Sequence, residues 1–171
     1  MAQTIPEVIS DPSPRDVLAV MTRAVFQAGV SWAQIAKAWD AYGDAFAGFD
    51  PDAVAAFDGT DVERILAHPG VLRAPRKVHA TIANARALRE LIATFGSFAS
   101  YAGHFDGYAS LERDMRARFS FLGEMNVWYV LFRCGEPVPR FELWVATIKG
   151  DHPRMREMVD LARRQGRSPE R

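Results

Sequence analysis

The sequence predicts an all-α protein. Apolar residues recur at helical spacing along almost the whole chain, helix start and stop signals fall in register with that spacing, and no run alternates convincingly with period two. The stretch "FELWVATI", residues 141–148, comes nearest to alternation and has helical spacing too.

The elements follow in order. In "SPRDVLAVMTRAVFQAG", Ser13 is placed to cap a helix that has Pro14 at its first position and Asp16 in its first turn, with Val17, Met21, Val25 and Ala28 at helical spacing. Gly29 stops it. Ser31 with Gln34 reads as a capping box, and Trp32, Ile35, Trp39 and Phe46 continue as the stripe of a second helix. Asp50-Pro51 begins a short third, and Thr60 with Glu63 reads as a capping box for "DVERILAH", which His68-Pro69-Gly70 ends. The longest helix is expected from Pro75 to Phe95, with Val78, Ile82, Ala85, Leu88, Ile92 and Phe95 on one face, broken by Gly96 and Ser97. A less regular segment rich in Phe, Tyr and Gly follows. A second helical cluster then spans about 111–118, 124–133 and 153–164. The ends, 1–11 and 165–171, read as loosely held tails of one domain covering 1–171.

Composition narrows the function. With 49% apolar residues in 171, the chain can bury a core without staples. It carries no apolar run of about 18 residues and no signal-like N-terminus, so a cytoplasmic protein with no membrane partner is expected. The single Cys134, inside the apolar "VLFRCG", reads as a buried hydrophobe in a reducing compartment. His68, His79, His104 and His152 are too scattered for a metal site, and no motif calls for a nucleotide or redox cofactor, so none is expected. Lys plus Arg equals Asp plus Glu at 21 each, so a polyanion must be held by local features.

Two loops offer such features. In "VFQAGVSWAQIAKAW" a helix ending at Gly29 and another starting at Ser31 form a tight corner, with Val30 outside and Trp32 on the inner wall. That combines a stacking surface with an apolar wedge, the parts needed to lever a base from a duplex and hold it. The plain alternative is that Trp32 begins a core stripe. In "RFSFLGEMNVWYVLFRCG" the order helix, Phe121-Leu122-Gly123, helix looks like a helix-hairpin-helix. The glycine permits a tight turn, and the free N–H groups opening the second helix can hold a phosphate oxygen without net charge. Arg73, Arg76 and Lys77, and Arg113, Arg116 and Arg118, could flank one DNA backbone, with Lys77 and Arg118 the favoured phosphate contacts. Arg113 and Arg116 alternate with Glu112 and Asp114, as on a solvated face.

"FQAGVSW", "FAGFDP", "DVERIL", "GVLR", "RKVHATIANARA" and "FSFLG" stand in an order and spacing that resembles the DNA-3-methyladenine glycosylase I family, a branch of the helix-hairpin-helix DNA glycosylases, over about residues 17–135. The resemblance implies two helical clusters flanking a cleft, a hairpin gripping double-stranded DNA, and hydrolysis of the N-glycosidic bond of an alkylated adenine. It puts the pocket tryptophan at Trp32 and the wedge at Val30, with Gln27, Phe26 and Ala24 beside the base, Leu122 and Gly123 on the backbone. An aromatic face would favour a cationic base by about 0.5–2 kcal/mol.

The chain departs from the family pattern twice. Eight residues before Trp32, where the family carries a base-binding glutamate, stands Ala24. Where the family holds zinc, the matching positions fall near Arg140 and Trp144, so no structural zinc is expected and packing by "FELW" takes its place. Three readings stand open: a glycosylase whose carboxylate comes from Glu7, Asp16 or Glu124; a relative with another lesion, its pocket enlarged at Ala24; or a non-catalytic DNA-binding or protein-interaction module on the same scaffold.

Overall fold

The computed structural model of the protein describes residues 4–171. Among them, the order is α1 (Pro14–Gln27), α2 (Trp32–Lys37), α3 (Trp39–Ala45), a 3₁₀ turn (Ala47–Phe49), α4 (Pro51–Ala55), α5 (Gly59–Ala67), α6 (Pro75–Phe95), α7 (Phe98–Gly103), α8 (Tyr108–Arg118), α9 (Glu124–Arg133), α10 (Phe141–Val145) and α11 (Pro153–Arg164). No strand is present among the described residues, only a parallel bridge between Val138 and Glu170. The all-α class is what the sequence predicts.

Helix α6 is the central rod. It packs against α1, α4, α5 and α7, while α9 packs against α1 and α8. Its buried face, Val78, Ile82, Ala85 and Leu88, is the predicted one. Helix α1 lies between the clusters and is buried on most sides: Val17, Leu18, Met21 and Val25 are fully enclosed. Its start is as expected, with Ser13 as cap and Pro14 at the first position, and Asp16 makes it a capping box: Ser13 Oγ accepts from the Asp16 N–H and Asp16 accepts from the Ser13 N–H.

Several local expectations change. The second helix is two, α2 and α3, because the chain tightens at Ala38, whose N–H donates back to both Gln34 and Ile35. The cap of α5 is Asp58 paired with Asp61, not Thr60 with Glu63: the carboxylate two residues earlier takes the Thr60 and Asp61 N–H groups. The segment after Gly96 contains α7, capped by Ser97, whose Phe98 and Tyr101 are buried.

The ends are not loose where they are described; residues 1–3 of the expected tail lie outside the described residues. The Ile9 N–H donates to the Arg133 carbonyl at 2.8 Å, Arg133 Nε donates to the Glu7 carbonyl, and Val8 is buried. At the other end the Arg171 N–H donates to the Val138 carbonyl and Pro169 is buried. Glu7 then joins the ends by accepting from Gln165 and lying 3.8 Å from Arg167. Backbone pairing and one apolar residue on each side hold what composition alone reads as tail. The "FELW" segment packs as expected, with Trp144 stacked on Trp128 at 4.7 Å and Phe141 edge-on to it.

Candidate nucleic-acid interface and base slot

The corner after α1 is a type II turn. Ala28 has φ −60° and ψ 113°, Gly29 has φ +75°, and the Val30 N–H closes on the Gln27 carbonyl at 3.0 Å. The left-handed third position is what requires glycine at 29. Ser31 Oγ then accepts from the Gln34 N–H and starts α2 with Trp32 at its first position. The corner is tied to α6 by Lys77, whose Nζ donates to the carbonyls of Ala28 at 2.7 Å and Phe26 at 3.3 Å. Partial burial pulls the Lys77 pKa below its ordinary value.

A narrow slot of about 50 Å³ opens behind this corner. Ala24 and Gln27 of α1 form one wall, Trp32 a second, and Met125, Asn126 and Tyr129 of α9 the third, over Met155. Trp32 meets Tyr129 edge to face at 5.6 Å. Gln27 is only 6% exposed and its Nε2 has no hydrogen-bond partner. The slot adjoins a groove of about 330 Å³, since Ala28, Met125 and Asn126 line both; Gly123, Glu124, Ile148, Lys149 and His152 complete the groove. In this state the slot is far smaller than the roughly 300–1,000 Å³ of small-molecule sites, so it is closed.

Three of the four residues assigned beside the base, Trp32, Gln27 and Ala24, therefore share one cavity. Phe26 does not. Positions 24, 27 and 28 lie on one face of a 3.6-residue helix, and 26 points the other way. Its ring is fully buried and packs edge-on against Tyr42 at 4.8 Å. Val30 is half-buried at the outer edge of the corner, leaning on the core.

The hairpin between α8 and α9 faces the same groove. Leu122 is 3% exposed, so its side chain anchors the turn and reaches no ligand. The left-handed residue of the turn is Phe121, φ +60°, whereas Gly123 has φ −81°, open to any residue. Nothing within the protein requires glycine at 123: a Cβ there would meet nothing within 4 Å, and the N-terminus of α9 carries no side-chain cap. The turn is fixed from two sides, by Asn126 Nδ2 donating to the Phe121 carbonyl and by Asn84 of α6, which accepts from the Ser120 N–H at 2.7 Å and donates to its carbonyl at 3.0 Å. Asn84 lies within the "RKVHATIANARA" stretch, but nothing in a single sequence marks it as the hairpin clamp.

The basic residues divide differently from the sequence reading. Lys77 is committed to the corner carbonyls, and Arg118 is paired with Asp114 at 3.0 Å and laid over Tyr101 at 5.4 Å, so both brace the fold rather than stand free for phosphate. Arg73 and Arg76 are exposed at the start of α6, and Arg76 lies over the 40%-exposed ring of Phe121, 5.7 Å from its centroid. Of the candidate carboxylates, Asp16 is used in its capping box and Glu7 at the joined ends, while Glu124 lines the groove. Cys134 is buried, and burial pushes its thiol up to about 12. Among the described residues no group of three His, Cys, Asp or Glu side chains could hold a metal ion, and no helix is long and apolar enough to cross a membrane.

This arrangement, a helical fold in which a hairpin and a corner face one groove, is that of the helical DNA glycosylases. A crystal structure of a 3-methyladenine DNA glycosylase I superposes with TM-score 0.65 at 28% identity, covering 77% of this chain and 82% of that one. The enzyme of the same name from Staphylococcus aureus superposes with TM-score 0.67 at 22% identity over 78% and 81%, a likeness of fold. The family model for methyladenine glycosylase matches residues 11–127, and the chain belongs to that family. DNA-3-methyladenine glycosylase 1 of Escherichia coli (strain K12) is 42% identical over 65 residues, 38% of this chain and 35% of that protein. The Haemophilus influenzae (strain ATCC 51907 / DSM 11121 / KW20 / Rd) DNA-3-methyladenine glycosylase is 27% identical over 89 residues, 52% and 48%. The chain thus matches less than half the length of these curated relatives.

Proposed function

We propose that the protein is a DNA glycosylase that extrudes an alkylated purine, of the 3-methyladenine kind, from double-stranded DNA and hydrolyses its N-glycosidic bond. The observation that carries this reading is the adjacency of the slot walled by Trp32 to the groove onto which Gly123 and the uncapped start of α9 open, with Ala28, Met125 and Asn126 lining both. One DNA backbone held at that helix start, by its N–H groups and dipole, brings the neighbouring nucleotide to the corner. Val30 fills the gap it leaves, and Trp32 stacks on the extruded base after swinging out of its contact with Tyr129. Phosphate contact falls to Arg76 and Arg73 beside the hairpin. Glu124, at the groove, is the carboxylate able to orient a water toward the sugar carbon.

The buried thiol Cys134 fits action in the cytoplasm, and the site asks for no cofactor. A second reading, a scaffold that binds DNA without turnover, is favoured by one feature: the slot presents no carboxylate of its own.

The experiment is release of free base from methylated duplex DNA and from duplexes carrying single modified purines, with Trp32→Ala as the control. The glycosylase reading expects release that Trp32→Ala lowers by about tenfold or more. Duplex binding with no base released from any substrate supports the scaffold instead.

A further inference from the structure

The slot behind the corner has little with which to tell one base from another. Ala24, Ala28, Met125 and Met155 give its walls no strong hydrogen-bonding group, which leaves the side chains of Gln27, Asn126, Tyr129 and Trp32. Two of these are already engaged. Asn126 Nδ2 donates to the Phe121 carbonyl at 2.8 Å, and the Tyr129 hydroxyl accepts from Arg133 Nη1 at 3.4 Å. Gln27 differs from both: it is 6% exposed, and its Nε2 has no hydrogen-bond partner in the protein.

A buried amide donor without an acceptor destabilises a protein, because its hydrogen bond to water is lost and not replaced. The backbone gives this residue no freedom to avoid that cost. Gln27 is the last residue of α1, and its carbonyl accepts from the Val30 N–H at 3.0 Å in the turn that contains Gly29. The slot wall therefore carries a fixed, unsatisfied donor. A side-chain amide holds a carbonyl oxygen beside its NH2 group, so the ligand that completes it presents an acceptor and a donor side by side.

Alkylated purines differ in that respect. Adenine offers the N7 acceptor next to the N6 amino donor, whereas guanine offers two acceptors, N7 and O6, on the same edge. Methylation at N3, on the far side of the ring, leaves either edge as it was. An amide can make two hydrogen bonds to the adenine edge, but against guanine its carbonyl oxygen opposes an acceptor whichever way it is turned. A methyl group on N7 removes the acceptor altogether. The positive charge of an N3-alkylated adenine also makes its amino group a better donor toward the amide oxygen, so a neutral side chain contributes where the slot has no carboxylate.

We propose that Gln27 is the residue that selects adenine among N3-alkylated purines, its Nε2 donating to N7 and its carbonyl oxygen accepting from the N6 amino group of the extruded base. This rests on the glycosylase reading above and assigns its base specificity to one side chain. Trp32 holds the face of the base and Gln27 reads its edge.

The test measures release of 3-methyladenine, 3-methylguanine and 7-methylguanine from one preparation of methylated duplex DNA, each corrected for its content, by the full chain and by Gln27→Leu. The first two bases share the N3 methyl group and the positive charge, so their ratio isolates the edge. The unaltered protein is expected to favour 3-methyladenine over both guanines, and Gln27→Leu to cut its preference over 3-methylguanine about tenfold. Gln27→Leu should also leave the thermal midpoint unchanged or raise it, since an unpaired buried donor is gone. A ratio that Gln27→Leu leaves unchanged, with both rates lowered alike and a lower midpoint, marks the amide as structural and overturns the proposal. A preference for either guanine in the unaltered protein overturns it too. Both outcomes leave the glycosylase reading standing. Should Gln27→Leu fail to fold, Gln27→Met replaces it. If no base is released, that reading fails, and titration of free 3-methyladenine and 3-methylguanine against tryptophan fluorescence decides: tighter binding of 3-methyladenine that Gln27→Leu abolishes supports the edge contact, and equal binding or none overturns it.

Discussion

The Lys77 ammonium donates to the Ala28 carbonyl at 2.7 Å, joining the start of the central helix to the corner that presents Val30 and Trp32. A side chain that sequence reading assigns to phosphate is thereby a C-terminal cap for α1, where a positive charge also complements the helix dipole. Lys77→Met should cost about 1–2 kcal/mol of stability by urea denaturation, because two carbonyls lose a charged donor. It should lower base release through a looser corner. The slope of log binding constant against log salt should not change, whereas removing a phosphate contact would reduce it by about one.

Arg76 should behave the other way. It is exposed, lies over Phe121 at the hairpin, and no ion pair holds it among the described residues. Arg76→Ala is expected to leave the unfolding midpoint within about 0.5 kcal/mol and to reduce the salt slope for duplex binding by about one. Arg118→Ala, which breaks the brace to Asp114 and Tyr101, should lower stability and leave the slope unchanged.

Gly123 separates backbone freedom from clearance. Its φ of −81° suits alanine, and an added Cβ meets nothing within 4 Å. Gly123→Ala is therefore expected to change stability by less than about 1 kcal/mol, since the small N-cap loss is offset by a stiffer unfolded chain. If the start of α9 receives a phosphate, the methyl group lies where the DNA backbone must approach, and duplex affinity should fall about tenfold in a fluorescence titration.

How much of this was legible in the sequence depends on the range of the interaction concerned. Caps and periodicity act within four residues, and they locate α1, α6, α9 and α11 almost to the residue. The same local logic misplaces the cap of α5, because Asp58 and Thr60 are both eligible and only the paired carboxylate at Asp61 decides between them. Helical phase could have separated Phe26 from Ala24 and Gln27. The partners of Lys77 and Asn84 lie on other elements, and no spacing rule reveals them. Arg118 pairs with Asp114 four residues earlier on α8, a spacing the sequence does show, but the Tyr101 ring beneath it belongs to α7. The closure of the ends through Glu7, Gln165 and Arg167 spans nearly the whole chain and is equally hidden.

The C-terminal segment is fastened by a charge cluster whose pH dependence follows from its geometry. Arg163 donates to both oxygens of Glu142, each at 2.8 Å, and to both oxygens of Glu170, which also accepts from Ser168 Oγ and from the Phe141 N–H. The Arg163 hydrogen bonds hold Glu142 at about 2. Burial opposes ionisation of Glu170, but its bonds to Arg163, Ser168 and Phe141 outweigh that and its pKa is also lowered. Carboxylates with depressed folded pKa values stabilise the protein above their ordinary pKa of 4.5, and that contribution is lost as pH falls toward the folded value. Glu142 is about half exposed, so solvent screens its share; Glu170, whose side chain is 7% exposed, carries more of the effect. Glu170→Gln should therefore lower the thermal midpoint at pH 7, and the gap from the unaltered protein should narrow steadily below about pH 4.5. Thermal unfolding of both proteins from pH 7 down to pH 3 measures this directly; a gap that stays constant across that range would mean that Glu170 acts through packing alone.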